Sequence, residues 1–280
     1  MPRLGTTDDH AEFAVRLYTG LLVENQWQLD RAWLAIAVLL MTCDVWRHAR
    51  WVPFHGAPVL TESNQYRLLR GGAPNKPLTE ALKVRDRLAA ELGIDRKDLC
   101  SAIGRFFAHP TIVGLQPNNP RGHAFRSLVA ETISRFGDPE LVVHEEVSPR
   151  ELFPGFDFGN RSKDARIDIV VQRNARIVAL VTTRWTYRHD RVDIIDEALA
   201  YVPSARRQNH GCRFFGVTAE FMAARLRKVI DQSSPKLQNA AIDRLVHLNP
   251  ELPSDLVGRN GDLKDMWSLE NMVEDSFNWQ

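Results

Sequence analysis

This chain is short of cysteine, of long apolar runs and of net charge, and each shortage removes a class of protein. Its three cysteines, Cys43, Cys100 and Cys212, are scattered. They show neither a disulfide framework nor metal-ligand spacing, which suits a reducing cytoplasm. The longest apolar run, Ala32 to Met41, is well short of the roughly 20 residues that cross a bilayer. It reads as a buried helix, so no membrane partner is expected. The opening residues, MPRLGTTDDHAEF, lack the apolar centre of a signal peptide. A formal net charge of only +1 means that no global basic field advertises a nucleic-acid partner.

The charge that matters is local. Between Arg161 and Arg191 there are eight Lys or Arg against three Asp, an excess able to attract phosphates. Its densest part is Arg184-Trp-Thr-Tyr-Arg188-His-Asp190-Arg191.

At 280 residues, 44% of them hydrophobic, the chain can form one large domain or two small ones. Residues 1–115 read as a helical region, with helical spacing over 11–24 and 29–46. Residues 51–75 read as loop. Pro77 opens a helix over 80–92 that Gly93 closes, and another follows over 97–107. The unit over 80–107 has the spacing of a helix-turn-helix, a pattern that ordinary helix packing also produces. The loop Gln116–Pro120 is the expected domain boundary. A helix over 123–136 follows, and then the period changes. Strands are expected over 141–147, 167–171, 177–183, 214–217 and 245–248, with helices over 194–202 and 219–230. The reading is an α/β (α+β) domain over 116–255, a mixed central sheet flanked by helices. Residues 256–280, polar with scattered aromatics, are expected as a peripheral tail.

Asp168 interrupts the apolar run 167–171, and an unpaired buried carboxylate is costly. A divalent cation would offset that cost, since oxygen-rich sites select Mg²⁺; so would a salt bridge to Arg166 or Arg184. The polar turn Gln172-Arg173-Asn174 makes a hairpin that brings the 177–183 strand alongside. Thr182 and Arg184 share one face of that strand, and a cation there could neutralise charge developing on a scissile phosphate. Glu131 falls at the edge of the buried face of its helix, where it could join a metal site or lie exposed. Asp193, Asp196 and Glu197 follow the basic block. The helix macrodipole alone favours acids there, but Glu197 on an inward face could complete a cation site. Arg188, Asp190 and Arg191 have the chemistry to read G·C pairs, arginine gripping guanine O6 and N7 and aspartate accepting from the cytosine amino group. A solvated ion-pair network is the other reading.

Thr182-Thr-Arg-Trp-Thr-Tyr-Arg188-His-Asp-Arg191 resembles the S-x-K-W-[ST]-x-R-x-D-R signature of CCGG-cutting type II restriction endonucleases, the NgoMIV-like group of the PD-(D/E)xK nuclease superfamily. The likeness extends from about Gly122 to Pro250, including Phe214-Phe-Gly-Val-Thr-Ala-Glu220 and Arg244-Leu-Val-His-Leu-Asn-Pro250. It implies a restriction-endonuclease-like core and a Mg²⁺-dependent hydrolase cutting double-stranded DNA at a palindromic site containing CCGG. It further implies a homodimer, which could pair into a tetramer, and a cognate DNA methyltransferase in the same system. By the same resemblance Asp168 is the metal-binding aspartate, Thr182 stands where the family has serine, Glu197 and Glu131 are the accompanying glutamates, and Arg188, Asp190 and Arg191 read the inner bases. One departure is chemical. The family's catalytic lysine is Arg184 here, which cannot be deprotonated at working pH and so can stabilise charge but not act as a base. A degenerate nuclease, or a sequence-specific binding protein that does not cut, is the alternative.

Overall fold

The computed structural model describes residues 7–37, 86, 89–91, 93, 95, 120–159, 162–185, 187, 193–220, 226, 242–250 and 266–280. The chain divides into two units, Met1–Ala124 and Phe125–Gln280. The division lies inside the helix that follows the Gln116–Pro120 loop, a few residues beyond the expected boundary.

In the first unit, helix α1 spans Thr7–Glu24. Ala11, Tyr18 and Leu22 are buried on it, at the spacing that stacks side chains on one helix face. Gln26, with φ 56°, turns the chain into a second helical stretch over 29–37. A helical turn at 89–91 ends at Gly93, whose φ of 66° suits the left-handed position glycine fills after a helix. The expected helix over 97–107, and with it the helix-turn-helix reading, lies outside the described residues.

Among its described residues the second unit, with the start of its first helix reaching back into the first unit, holds a six-stranded mixed sheet with helices against it. Its elements are α2 (Pro120–Phe136), β1 (Leu141–Val147), α3 (Pro149–Leu152), β2 (Ile167–Arg173), β3 (Arg176–Arg184), α4 (Asp193–Gln208), β4 (Arg213–Thr218), β5 (Arg244–His247), β6 (Trp267–Ser268) and α5 (Leu269–Asp275). The strands lie in sequence order. β1, β2 and β3 are antiparallel neighbours, whereas β3 to β6 pair in parallel, each after the long connection that parallel pairing requires. The β2–β3 turn is Asn174-Ala175, with φ of 51° and 63°, the two left-handed positions of a tight hairpin turn.

β2 and β3 are central strands, which explains their long Val and Ile runs. On α4, Ile194, Ile195, Ala198, Tyr201, Val202 and Ala205 form one buried stripe with Leu180, Phe214 and Leu245. Gly216 lets α4 approach. A Cβ there would stand 2.7 Å from Ile194 Cγ2 and 3.2 Å from Leu245 Cδ2, inside van der Waals contact.

Residues 266–280 are not a peripheral tail. They supply β6 and α5 and bury Trp279 completely, its ring 5.2 Å from that of Phe215 and its Nε1–H donating to Asp275 at 3.0 Å. A two-residue strand has too little length to show alternation. Of the helix expected over 219–230, Ala219 and Glu220 are not helical and most of the remainder lies outside the described residues. Among the described residues no helix is long and apolar enough to cross a membrane. Cys212 is a free, buried thiol that burial pushes up to about 12, so it has no thiolate character at neutral pH.

Candidate active site

The site lies where β2 and β3 part. Their ladder runs up to Ile169 paired with Val181, while β3 continues beside β4 as far as Arg184 paired with Thr218. At the fork, the carboxylate of Asp168 replaces the missing backbone acceptor. Its Oδ2 accepts from the Thr183 N–H at 2.7 Å. It also accepts from the hydroxyl of Thr183 and from Arg184 Nη1, at 3.2 and 3.0 Å.

A second carboxylate enters from α4. Glu197 lies three residues after Ile194 and four before Tyr201, within the buried stripe, so it is carried down onto the sheet. The Thr182 hydroxyl reaches both acids, Asp168 Oδ2 at 3.2 Å and Glu197 Oε2. A hydroxyl has one proton to donate, so it serves one acid at a time. Arg184 spans the pair, with Nη1 on Asp168 and Nη2 on Glu197 Oε1. All three charged side chains are a quarter exposed or less. The three charges are thus largely withdrawn from solvent, where Coulomb interactions outweigh those in bulk water.

The structure thus brings together Asp168, Thr182, Arg184 and Glu197. Glu131 is not joined to them by any hydrogen bond or ion pair among the described residues. Asp168 and Thr182 point to the α4 side of the sheet. Ile169 and its partner on β1, Glu145, point to the other side by strand alternation. α2 packs on that other side, Arg126 and Ser127 donating to Glu145. Glu131 on α2 is half-buried, and burial raises its pKa, Glu145 adding to the rise and Arg135 opposing it. Helical spacing correctly put Glu131 at the edge of a buried face but could not say which face of the sheet that helix covers. Arg188, Asp190 and Arg191 lie outside the described residues.

Three polar residues near the fork were not anticipated. Arg126, buried on α2, binds both Glu145 and Glu146. Glu220 and His247, both wholly buried, meet at the C-terminal ends of β4 and β5. The signal for the latter two was of the kind that exposed Asp168, a polar residue within or at the end of an apolar run. His247 Nδ1 accepts from the Asn249 N–H at 3.1 Å, so Nε2 carries the proton and donates to the Glu220 carbonyl at 3.0 Å. Burial lowers the His247 pKa to about 4.

Among the described residues no three His, Cys, Asp or Glu side chains are grouped as a metal cage. The donors that do converge, two carboxylates and a threonine hydroxyl, are all oxygen. They match the needs of Mg²⁺, which takes one or two carboxylates and keeps several waters. No protein-family model, curated protein or solved structure matches this chain.

Proposed function

We propose that this chain is a Mg²⁺-dependent endonuclease of the restriction type, with a PD-(D/E)xK-like core, that cuts double-stranded DNA at a short palindromic G·C-centred site containing CCGG. The observation that carries the reading is the convergence of Asp168 and Glu197, from two different elements, on one threonine hydroxyl beside Arg184. Asp168 and Glu197 would hold the ion, whose contribution when bound is to activate water and polarise the phosphate. Arg184 presents a permanent cation at the rim of the pair and stabilises negative charge as it develops on the phosphate. The Thr182 hydroxyl and the Thr183 N–H keep Asp168 from rotating, which preserves the spacing of the two acids. Arg188, Asp190 and Arg191, a few residues further along, would read the inner base pairs. A palindromic site is matched most simply by a two-fold homodimer.

A second reading has its own observation. Arg184 already neutralises part of the charge of both acids, as a purely structural ion-pair staple would. The protein would then bind DNA without cutting it. Duplex oligonucleotides with and without CCGG, assayed by gel shift and by cleavage in Mg²⁺ and in EDTA, separate the two. Site-dependent cutting that EDTA abolishes supports the nuclease. Site-dependent binding with no cutting in any divalent metal supports the binder, and the absence of both cutting and binding sinks both.

A further inference from the structure

Past Arg184 the chain leaves the sheet and heads toward Arg188, Asp190 and Arg191. The first residues of that exit are clamped by the end of the neighbouring strand β4 and the two residues after it. The Arg184 carbonyl accepts from the Thr218 hydroxyl at 2.8 Å and from the Ala219 N–H at 3.4 Å. The Tyr187 N–H, beyond the end of β3, donates to Glu220 Oε2 at 3.0 Å. Glu220 is itself tied down. Its N–H donates to the Thr218 hydroxyl at 3.1 Å, and its carbonyl accepts from His247 at 3.0 Å.

We propose that Glu220 is a positioning residue, a buried latch that fixes the exit of β3 and so aims the Arg184 side chain. The inference rests on the nuclease reading for its purpose, not for its geometry. A wholly buried carboxylate has to be well partnered. One partner that an apolar side chain of similar volume could not serve is the Tyr187 N–H, a backbone donor beyond the end of the β3 ladder. Thr218 and His247 extend the same latch across three strands. The Arg184 backbone is therefore held from one side while its guanidinium is held by Asp168 and Glu197 from the other.

Tryptic cleavage after Arg184 reads the latch directly in the full-length protein under native conditions. Glu220→Ala should accelerate it about tenfold by freeing the exit to open locally. Glu220→Gln keeps an acceptor for the Tyr187 N–H and should restore near wild-type resistance. A destabilising control in the buried face of α2, Val129→Ala, should not speed this cut selectively. Equal resistance in wild type and Glu220→Ala would overturn the latch. Hydrogen exchange at the Tyr187 amide of the wild type decides the matter even if Glu220→Ala fails to fold: protection supports it, and exchange at the rate of an exposed loop overturns it. Neither readout involves DNA, so failure of the nuclease reading shows separately, as a wild type that neither cuts nor binds. If the wild type does cut, Glu220→Ala should cut more slowly because Arg184 is no longer held, and Glu220→Gln should regain the rate.

Discussion

Gly216→Ala sets two effects of opposite sign against each other. Gly216 lies within β4 and has ordinary strand backbone, so alanine there should gain about 0.4–1 kcal/mol from a less flexible unfolded chain. Against that, the new methyl would meet Ile194 Cγ2 at 2.7 Å, Ile194 Cδ1 at 3.1 Å and Leu245 Cδ2 at 3.2 Å. Cγ2 is one bond from a β-branched centre on a helix, a position with almost no rotamer freedom. The helix must therefore lift or the side chain must strain, at about 1–3 kcal/mol. Packing wins, and the expected net loss is about 1–2 kcal/mol, or about 2–8 °C in Tm for a protein of this size. Lifting α4 also draws Glu197 away from Thr182 and Arg184, so the proposed DNA cleavage should fall by more than stability alone explains. The decisive assay is a double-mutant cycle read by thermal or denaturant unfolding. Ile194→Ala alone should cost about 2–5 kcal/mol, but it vacates the space that the new methyl at position 216 needs. The double variant should be less destabilised than the sum by at least about 1 kcal/mol. Additivity within about 0.5 kcal/mol, or a stabilised Gly216→Ala, would show that α4 does not rest on Gly216 as described.

Asp168→Ala should reduce cleavage to background while leaving the protein folded, with a stability loss of about 1–3 kcal/mol from the orphaned Thr183 N–H; circular dichroism beside a cleavage assay checks this, and full activity would remove Asp168 from the site. Arg184→Lys should be tolerated or activating, because lysine keeps the cation and adds a group that can deprotonate; complete loss of cleavage would mean that the two-pronged guanidinium grip is itself required. His247 is neutral in the fold, with a pKa of about 4 against an ordinary 6.5, so the unfolded chain binds the extra proton between those values. Its stabilisation is complete above pH 6.5 and is lost as pH falls toward 4, at up to about 1.4 kcal/mol per unit; urea melts across that range should show a steeper acid loss in wild type than in His247→Gln, and parallel slopes would refute the assignment. Trp279→Ala should cost about 3–5 kcal/mol, and an unchanged melting temperature would return the C-terminal segment to the periphery.

Much of the sheet was legible because central strands bury both faces and therefore spell continuous Val and Ile runs. Asp168 stood out within such a run for the same reason. The pairing of Asp168 with Thr182 and Arg184 followed from the hairpin, whose turn is Asn174-Ala175, sharing Asn174 with the expected Gln172-Arg173-Asn174, because Arg173 still pairs with Arg176. Glu197 could be chosen over Asp193 and Asp196 by its position toward the sheet. Glu131 could not be placed, since the sheet face that a helix covers is a tertiary choice. Glu220 and His247 broke apolar stretches as visibly as Asp168 did, but the partner of each lies on a segment distant in sequence. The sixth strand was hidden by its brevity, and its hold on the sheet comes from Trp267 and Trp279 packing on Phe215 rather than from any periodicity.

The most direct measurement is a digest of unmethylated plasmids that carry or lack CCGG-containing palindromes, with Mg²⁺ or EDTA, followed by sequencing of the fragment ends. The convergent acids and the basic segment together predict discrete Mg²⁺-dependent fragments whose ends map to those palindromes and vanish in EDTA. Intact plasmids in every metal, with no specific retardation of the same sites in a gel, would contradict the nuclease and the DNA-binding readings alike.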